Sequence, residues 1–248
     1  MSGGMLLRVY ATPREVHAGD LAGATAVVID VVRATSCIVE AIANGAAAIH
    51  PAVSVEEAAR LRTTLDGAAA GTRPLLCGER GGIRPDGFDL GNSPAEFTTA
   101  AVGGRTLVMT TTNGTKAFAA AADAHRVIAA SFLNQRAVAD AVRSERSVAV
   151  VCAGRKGRFA LDDAVCAGHL VRAVLDRATG TVIPDDGAVA AADLAGRHGV
   201  SAEMLSGTAA GRALVEVGLG ADLALCAQAD RHQIVPMMYD RVITAPHG

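Results

Sequence analysis

Short apolar, β-branched runs alternate along the chain with alanine-rich stretches whose apolar positions recur every three or four residues. TAVVID (25–30) reads as a buried strand, and the helical period of SCIVEAIANGA (36–46) ends at Gly45. VSVEEAARLRTTL (53–65) offers Ser54 as a helix cap and places Glu56 and Glu57 in the first turn, where the helix dipole favours acids. RPLLCGE (73–79), RTLVMTT (105–111), RVIAAS (126–131), SVAVVCA (147–153) and QIVPMMY (233–239) are further expected strands. TKAFAAAADA (115–124) and LDDAVCAGHLVRAVLDRA (161–178) are further expected helices, the second with Leu161, Val165, Leu170 and Val174 on helical spacing.

The repeated order of strand, polar loop and helix predicts an α/β fold, three-layer α/β/α with a largely parallel or mixed sheet. GTVIPDDGAVAAADLAGRHG (180–199) interrupts the period and clusters turn residues, so a sub-domain split would fall there. Otherwise residues 1–248 are expected to form a single domain.

Half of the 248 residues are hydrophobic and 19% are charged, as in globular chains. Lys and Arg number 23 against 25 Asp and Glu, a net charge of −2, and no basic block stands out, so neither nucleic acid nor a membrane surface is an expected partner. Five scattered cysteines without a CxxC pair argue against a disulfide framework or a thiolate zinc site and for a reducing compartment. The N-terminal MSGGMLLRVYATPREV lacks a signal-peptide core, and no apolar run reaches the roughly 18 residues of a spanning helix, so a cytoplasmic location is expected. Seven histidines show no HExxH spacing, and there is no GxSxG elbow; Cys152, at a strand end, is the remaining nucleophile candidate.

The conspicuous polar residues lie where the expected strands end. Asp30 and Arg33 follow TAVVI, Glu79 and Arg80 precede two glycines, and Thr110 to Thr115 join a strand to a helix. In open α/β sheets such ends gather at a ligand crevice. Asp30 and Arg33 suit either a local helix-start bridge or a hard-metal ligand beside an oxyanion fork. The segment TTTNGT suits either a threonine-rich turn capped by Thr115 or an anion cradle built from the amides and hydroxyls of Thr111, Thr112, Asn113, Gly114 and Thr115. Asp89 and Asn92 are oxygen donors, with Ser93-Pro94 as a helix start. CAGRKGRFALDDAVCAG (152–168) combines Arg155, Lys156 and Arg158 in a glycine-flanked loop with Asp162 and Asp163 at a helix start. Basic loop plus acids suits a metal-bridged phosphorylated substrate, whereas the acids alone suit dipole compensation.

Taken in order, VVIDVVRATSCIVEAIANGA, LLCGERGG, GFDLGNSPAEF, TLVMTTTNGTKA, VCAGRKGRFALDDAVCAG and CAQADRHQIVPMM resemble the 2-phosphosulfolactate phosphatase family over nearly the whole chain. The resemblance implies a Mg²⁺-dependent phosphomonoesterase that converts 2-phospho-3-sulfolactate to 3-sulfolactate and phosphate, a step of coenzyme M biosynthesis in some organisms. Asp30, Arg33, Glu79, Arg80, Asp89, Asp162 and Asp163 stand at matching positions, and a mechanism built on them has Mg²⁺ held by Asp30, Glu79 or Asp89, with Arg33 on the phosphoryl oxygens, Asp162 or Asp163 as the acid–base group and Asp30 as the alternative nucleophile. Arg80, the TTTNGT segment, Arg155 and Arg158 would hold the phosphorylated, sulfonated substrate. Direct attack by water and an aspartyl-phosphate route through Asp30 are both open. The family segment S-x-H-G-x-x-L is matched here by TAAGRAL (208–214), with Ala210 in the histidine's place, which bears on the natural substrate more than on the fold. A non-catalytic binder of a small phosphorylated or sulfonated anion and a phosphatase for a different small ester are the alternatives. A homodimer is left open.

Overall fold

The computed structural model describes residues 4–68 and 72–246. In chain order the strands are β1 (Met5–Tyr10), β2 (Thr25–Ile29), β3 (Ala48–Ala52), β4 (Leu75–Gly78), β5 (Thr106–Thr110), β6 (Arg126–Ala130), β7 (Ser147–Cys152), β8 (Val182–Pro184), β9 (Met237–Tyr239) and β10 (Val242–Thr244). The helices are α1 (Ala34–Ala43), α2 (Val55–Ala68), α3 (Thr99–Val102), α4 (Gly114–Ala120), α5 (Gln135–Val142), α6 (Leu161–Arg177), α7 (Asp186–Arg197), α8 (Ala202–Ser206), α9 (Ala209–Glu216) and α10 (Asp222–Cys226).

All ten strands form one mixed sheet, ordered β4-β5-β3-β10-β9-β6-β2-β7-β1-β8. It contains two internally parallel blocks, β4-β5-β3 and β6-β2-β7-β1-β8. The hairpin β9–β10 joins them, antiparallel to both β6 and β3. By pairing, the two blocks therefore run in opposite directions. Six interstrand steps separate β4 from β2, and a twist of about 20–25° per step accumulates to roughly 120–150°. That rotation turns the carboxyl ends of the two blocks toward one another.

Strands buried on both faces read as continuous apolar runs, as β2 does. Val27 and Ile29 pack with Val150, Val165, Leu170 and Val174 under α5, α6 and α7. Ala26 and Val28 point the other way, into a core shared with Ile38, Leu107, Met109, Phe118 and Ile243. This second core, filled by α1 and α4, is common to both blocks. A third, smaller cluster seats α2 on β3, β4 and β5 through Ala58, Ala52, Leu76 and Val108.

The expected helices and five of the six expected strands are present, with ends shifted by a few residues, whereas QIVPMMY is strand only over Met237–Tyr239. Four strands carried no clear signal. Of these, β3 contains Pro51, which lies beyond the single position where β10 pairs, at Ile49, so its missing N–H leaves no bond unmade there. The 180–199 segment carries regular structure. It forms β8, which extends the sheet by pairing with β1, and α7, which is packed on α6. All five cysteines are free and buried, and no helix among the described residues is long and apolar enough to cross a membrane.

Candidate active site

The loops following β2, β4, β5 and β7 meet around a cavity of about 220 Å³. Its wall includes Asp30, Arg33, Glu79, Gly82, Thr112, Asn113, Gly154, Arg155, Lys156, Asp162 and Asp163, and it is completed from α9 by Ala210, Ala213 and Leu214.

Two carboxylates hold the loops together. Glu79 Oε1 accepts from Thr112 N (2.6 Å), and Oε2 accepts from Gly82 N (2.7 Å) and the Thr112 hydroxyl (3.1 Å). This ties the loop after β4 to the loop after β5. Gly82 reaches that bond at φ +88°, backbone that an L side chain rarely adopts. Asp163 does the same on the other block: Oδ1 accepts from Val31 N and Oδ2 from Gly154 N, both at 2.9 Å. Burial, then the charges of Asp162 and Asp30, push the Asp163 carboxyl well above the usual carboxylate range.

Asp30 and Asp162 are less engaged. Asp30 ends β2, and its main chain is fixed by Thr35, whose hydroxyl and N–H both bond the Asp30 carbonyl at 2.9 Å. Its carboxylate accepts the amides of Ala34 and Gly114, which leaves lone pairs open. A Cβ on Gly114 would lie 2.8 Å from Asp30 Oδ2 and 2.6 Å from Ala34 Cβ. Burial, then the charges of Glu79 and Asp162, push Asp30 up to about 7. Asp162 is driven up to about 6 by burial, opposed by a hydrogen bond to its own backbone, by Arg155 and by Thr208. Its Oδ1 is buried without a partner.

Arg33 is 3% exposed, with Nη1 2.5 Å from Asp222 Oδ2 and Nη2 donating to the Gly82 carbonyl at 2.8 Å. Asp222 Oδ1 accepts from the Ser93 hydroxyl at 2.6 Å. Arg155 and Lys156 lie at the rim, where Lys156 N donates to Asn113 Oδ1 at 3.1 Å.

Several expected residues stand elsewhere. Asp89 is not at the cavity: it accepts from Leu76 N at 2.8 Å and faces Arg62 and Arg73, because the strand edge there needs an acceptor. Arg80 turns away, donating to the Glu79 carbonyl and the Thr110 hydroxyl, both at 2.7 Å. Arg158 is exposed and off the cavity wall, its backbone closing a turn with Arg155. The three threonines have separate tasks. Thr110 holds Arg80, Thr111 Oγ1 accepts from Thr115 N at 3.1 Å at the start of α4, and Thr112 binds Glu79. The amides of Thr112 and Gly114, expected as an anion cradle, hold the site's own carboxylates, and the Thr115 amide is spent on Thr111. Cys152 is buried and its thiol is pushed up by burial, so it is a neutral small hydrophobe rather than a nucleophile.

Asp222 was not legible as a site residue, since an acid in the first turn of a short helix is ordinary dipole compensation. The one available signal was that Arg33, if buried, needs a counter-ion.

Among the described residues, no three His, Cys, Asp or Glu side chains converge as a ready-made metal cage. The open donors of Asp30 and Asp162 are carboxylate oxygens, and the repulsion from Glu79 and Asp162 that adds to burial in raising Asp30 is what a hard cation relieves. Magnesium in particular is bound through one or two carboxylates, with water and phosphate oxygens completing the shell.

The family profile described as 2-phosphosulpholactate phosphatase matches residues 10–241. A protein of Symbiobacterium thermophilum named "Probable 2-phosphosulfolactate phosphatase" is 42% identical over 226 residues, covering 89% of this chain and 93% of its own length. Identically named proteins of Deinococcus radiodurans (40% over 238 residues, 94% of this chain and 93% of theirs) and Pseudothermotoga lettingae (38% over 216 residues, 86% and 89%) align as fully. With one profile matching residues 10–241 and relatives 38–42% identical over 86–94% of its length, the chain belongs to the 2-phosphosulpholactate phosphatase family.

Proposed function

We propose that this chain is a phosphoric monoester hydrolase that uses Mg²⁺ to cleave 2-phosphosulfolactate to 3-sulfolactate and phosphate, in the cytoplasm, as a step of the coenzyme M biosynthetic type. Family membership supports the reaction. The observation that carries the cation is the charge of the cavity, where Asp30, Glu79, Asp162 and Asp163 face Arg33, Arg155 and Lys156, with Arg33 already paired to Asp222. With those carboxyls ionised, a phosphate ester would meet net repulsion there unless a cation neutralised them. Asp30 and the remaining lone pair of Glu79 would hold Mg²⁺, which when bound supplies Lewis-acid polarisation of the phosphoryl group.

The chain's own residues do the rest. Arg33 binds and orients the phosphoryl oxygens as charge redistributes. Asp162, with one oxygen unpartnered and its carboxyl raised to about 6 by burial, holds a proton up to slightly acid pH and delivers it to the ester oxygen as that oxygen leaves. Arg155 and Lys156, at the rim, bind the carboxylate or sulfonate end of the substrate. Leu214 and the two alanines of α9 exclude water from the opposite wall.

The test is phosphate release from 2-phosphosulfolactate, with Mg²⁺ and with chelator, beside phospholactate and phosphoglycolate. Mg²⁺-dependent turnover preferring the sulfonated ester is expected. Ala210 on the cavity wall favours a second reading, a different small ester, which faster turnover of either comparison compound would establish. Saturable binding of sulfolactate with no release from any ester would overturn catalysis.

A further inference from the structure

We propose that Asp222 is a positioning residue for phosphate-ester hydrolysis, acting through Arg33 and held in turn by Ser93; this rests on the phosphatase reading above. A guanidinium buried to this depth needs a counter-ion. The cavity offers several wrong ones, since Asp30, Glu79 and Asp162 line the same wall as Arg33. An Arg33 that collapsed onto any of them would cancel both its own charge and the carboxylate's. Asp222 prevents this from outside the cavity. Its Oδ2 takes Nη1 at 2.5 Å while the Gly82 carbonyl takes Nη2 at 2.8 Å, so one edge of the fork is committed. Two of the five N–H donors are engaged in this way, and the remainder are available to phosphoryl oxygens.

Asp222 is itself fixed. Its second oxygen receives the Ser93 hydroxyl at 2.6 Å, and its side chain is buried, so neither oxygen is free to turn into the cavity. Three distant segments are thereby locked: the start of α1, the loop from Gly82 to Ser93, and the start of α10. Nothing in this arrangement requires Asp222 to touch the substrate, and it is not part of the cavity wall.

The experiment compares Asp222→Ala, Asp222→Asn, Arg33→Ala and the Arg33→Ala/Asp222→Ala double variant, each checked for folding by thermal melting. Asp222→Ala should lower kcat/KM by about 10²-fold, the scale of losing one preorganised donor. The double variant should be no worse than Arg33→Ala alone, because Asp222 acts only through Arg33. Asp222→Asn should fall between Asp222→Ala and the wild type: its amide oxygen accepts Nη1 and its NH₂ donates to the Ser93 hydroxyl, but the counter-charge is gone. Multiplicative losses in the double variant, or Asp222→Asn as damaging as Asp222→Ala, would overturn the proposal. Should Asp222→Ala not fold, Ser93→Ala provides the same test, with a loss of about threefold to tenfold that vanishes in an Arg33→Ala background. Inorganic phosphate binding by calorimetry separates this inference from the reading it rests on. If the wild type releases no phosphate from any ester, the phosphatase reading fails, yet weakening of phosphate binding by Asp222→Ala that vanishes in the Arg33→Ala background would still uphold the positioning role. Weakening that persists in that background would end it.

Discussion

The two parallel blocks close their site-facing loops by the same device, yet they contribute unequally to the chemistry. On the β4-β5-β3 side a single carboxylate, Glu79, collects Gly82 N, Thr112 N and the Thr112 hydroxyl. On the larger side Asp163 collects Val31 N and Gly154 N, but beside it stand Asp30 and Asp162, with oxygens left open. Three donors on one carboxylate leave it about one lone pair. The smaller block therefore supplies scaffold and one shared ligand position, and the larger block supplies the groups able to take a proton or a cation.

Substituting the open carboxylates breaks this contrast most sharply. Asp30→Asn and Asp162→Asn should each lower kcat by about 10²–10⁴-fold, the range for removing an acid–base group or its equivalent. Neither should destabilise the metal-free protein near pH 8. Both carboxyls sit above their ordinary value of 3.8, at about 7 and about 6, so the folded state binds their protons more tightly than the unfolded state does. The stability they allow is complete below pH about 4 and is lost as pH rises through 6 and then 7. The amide variants escape that loss. Their melting temperature at pH 8 should equal or exceed the wild type's by a few degrees, at about 2–4 °C per kcal/mol for a chain of this size. A lower midpoint would mean that these carboxylates are structural after all.

The clamps should behave in the opposite way. An amide at either position offers one acceptor oxygen where two backbone N–H groups need one each, and its NH₂ would face a donor. Glu79→Gln should therefore cost about 1–3 kcal/mol of stability, measured by urea denaturation, and Asp163→Asn less, because burial and the neighbouring acids already disfavour the ionised Asp163 clamp. Unchanged stability in both would erase the distinction between clamp and open carboxylate.

Much of the fold was readable because its central strands are buried on both faces. TAVVID and SVAVVCA are apolar without alternation, and their polar ends mark where the chain leaves the core. The edge strand β8 and the short hairpin lack that pattern because each pairs over three residues or fewer, and β3, although paired with β5 along its whole length, is interrupted by His50 and Pro51. In the candidate site, residue types were legible but their directions were not. Arg33 and Arg80 look alike in sequence, each just after a strand-end acid, yet one guanidinium lines the cavity and the other is spent on Thr110. The difference is made by Asp222, 189 residues from Arg33 in the chain, a relation that no local pattern encodes. Asp89 misled for a similar reason, since a strand edge and a metal both want a carboxylate oxygen.

Magnesium should sharpen the same comparison at smaller amplitude. In chelator, the wild type's melting temperature should fall between pH 5 and pH 8 through Asp30 and Asp162. Added Mg²⁺ should restore a few degrees at pH 8, where the carboxylates are ionised, and almost nothing at pH 5, where protons hold them. Asp30→Asn should abolish the Mg²⁺ effect. A shift of equal size at both pH values would place the ion elsewhere.

The smallest effects belong to the cationic loop, where three similar side chains in a row are separated by geometry alone. Arg155 and Lys156 line the cavity, and Lys156 is fixed there at φ +53° by the bond from its N–H to Asn113. Arg158 lies one turn on, exposed, with only its backbone engaged. A rim cation that binds the far end of the substrate acts on ground state and transition state alike, so its loss raises KM and spares kcat. Arg155→Met should raise KM about tenfold, equivalent to about 1.4 kcal/mol of binding, and the increase should shrink for phosphoglycolate, which lacks the sulfonate. Arg158→Met should change kcat/KM by less than about twofold, because a solvated charge off the cavity wall contributes only a screened attraction. Steady-state kinetics at two salt concentrations decide the matter: a larger KM effect from Arg158→Met than from Arg155→Met would reverse the assignment of the rim and with it the orientation of the substrate.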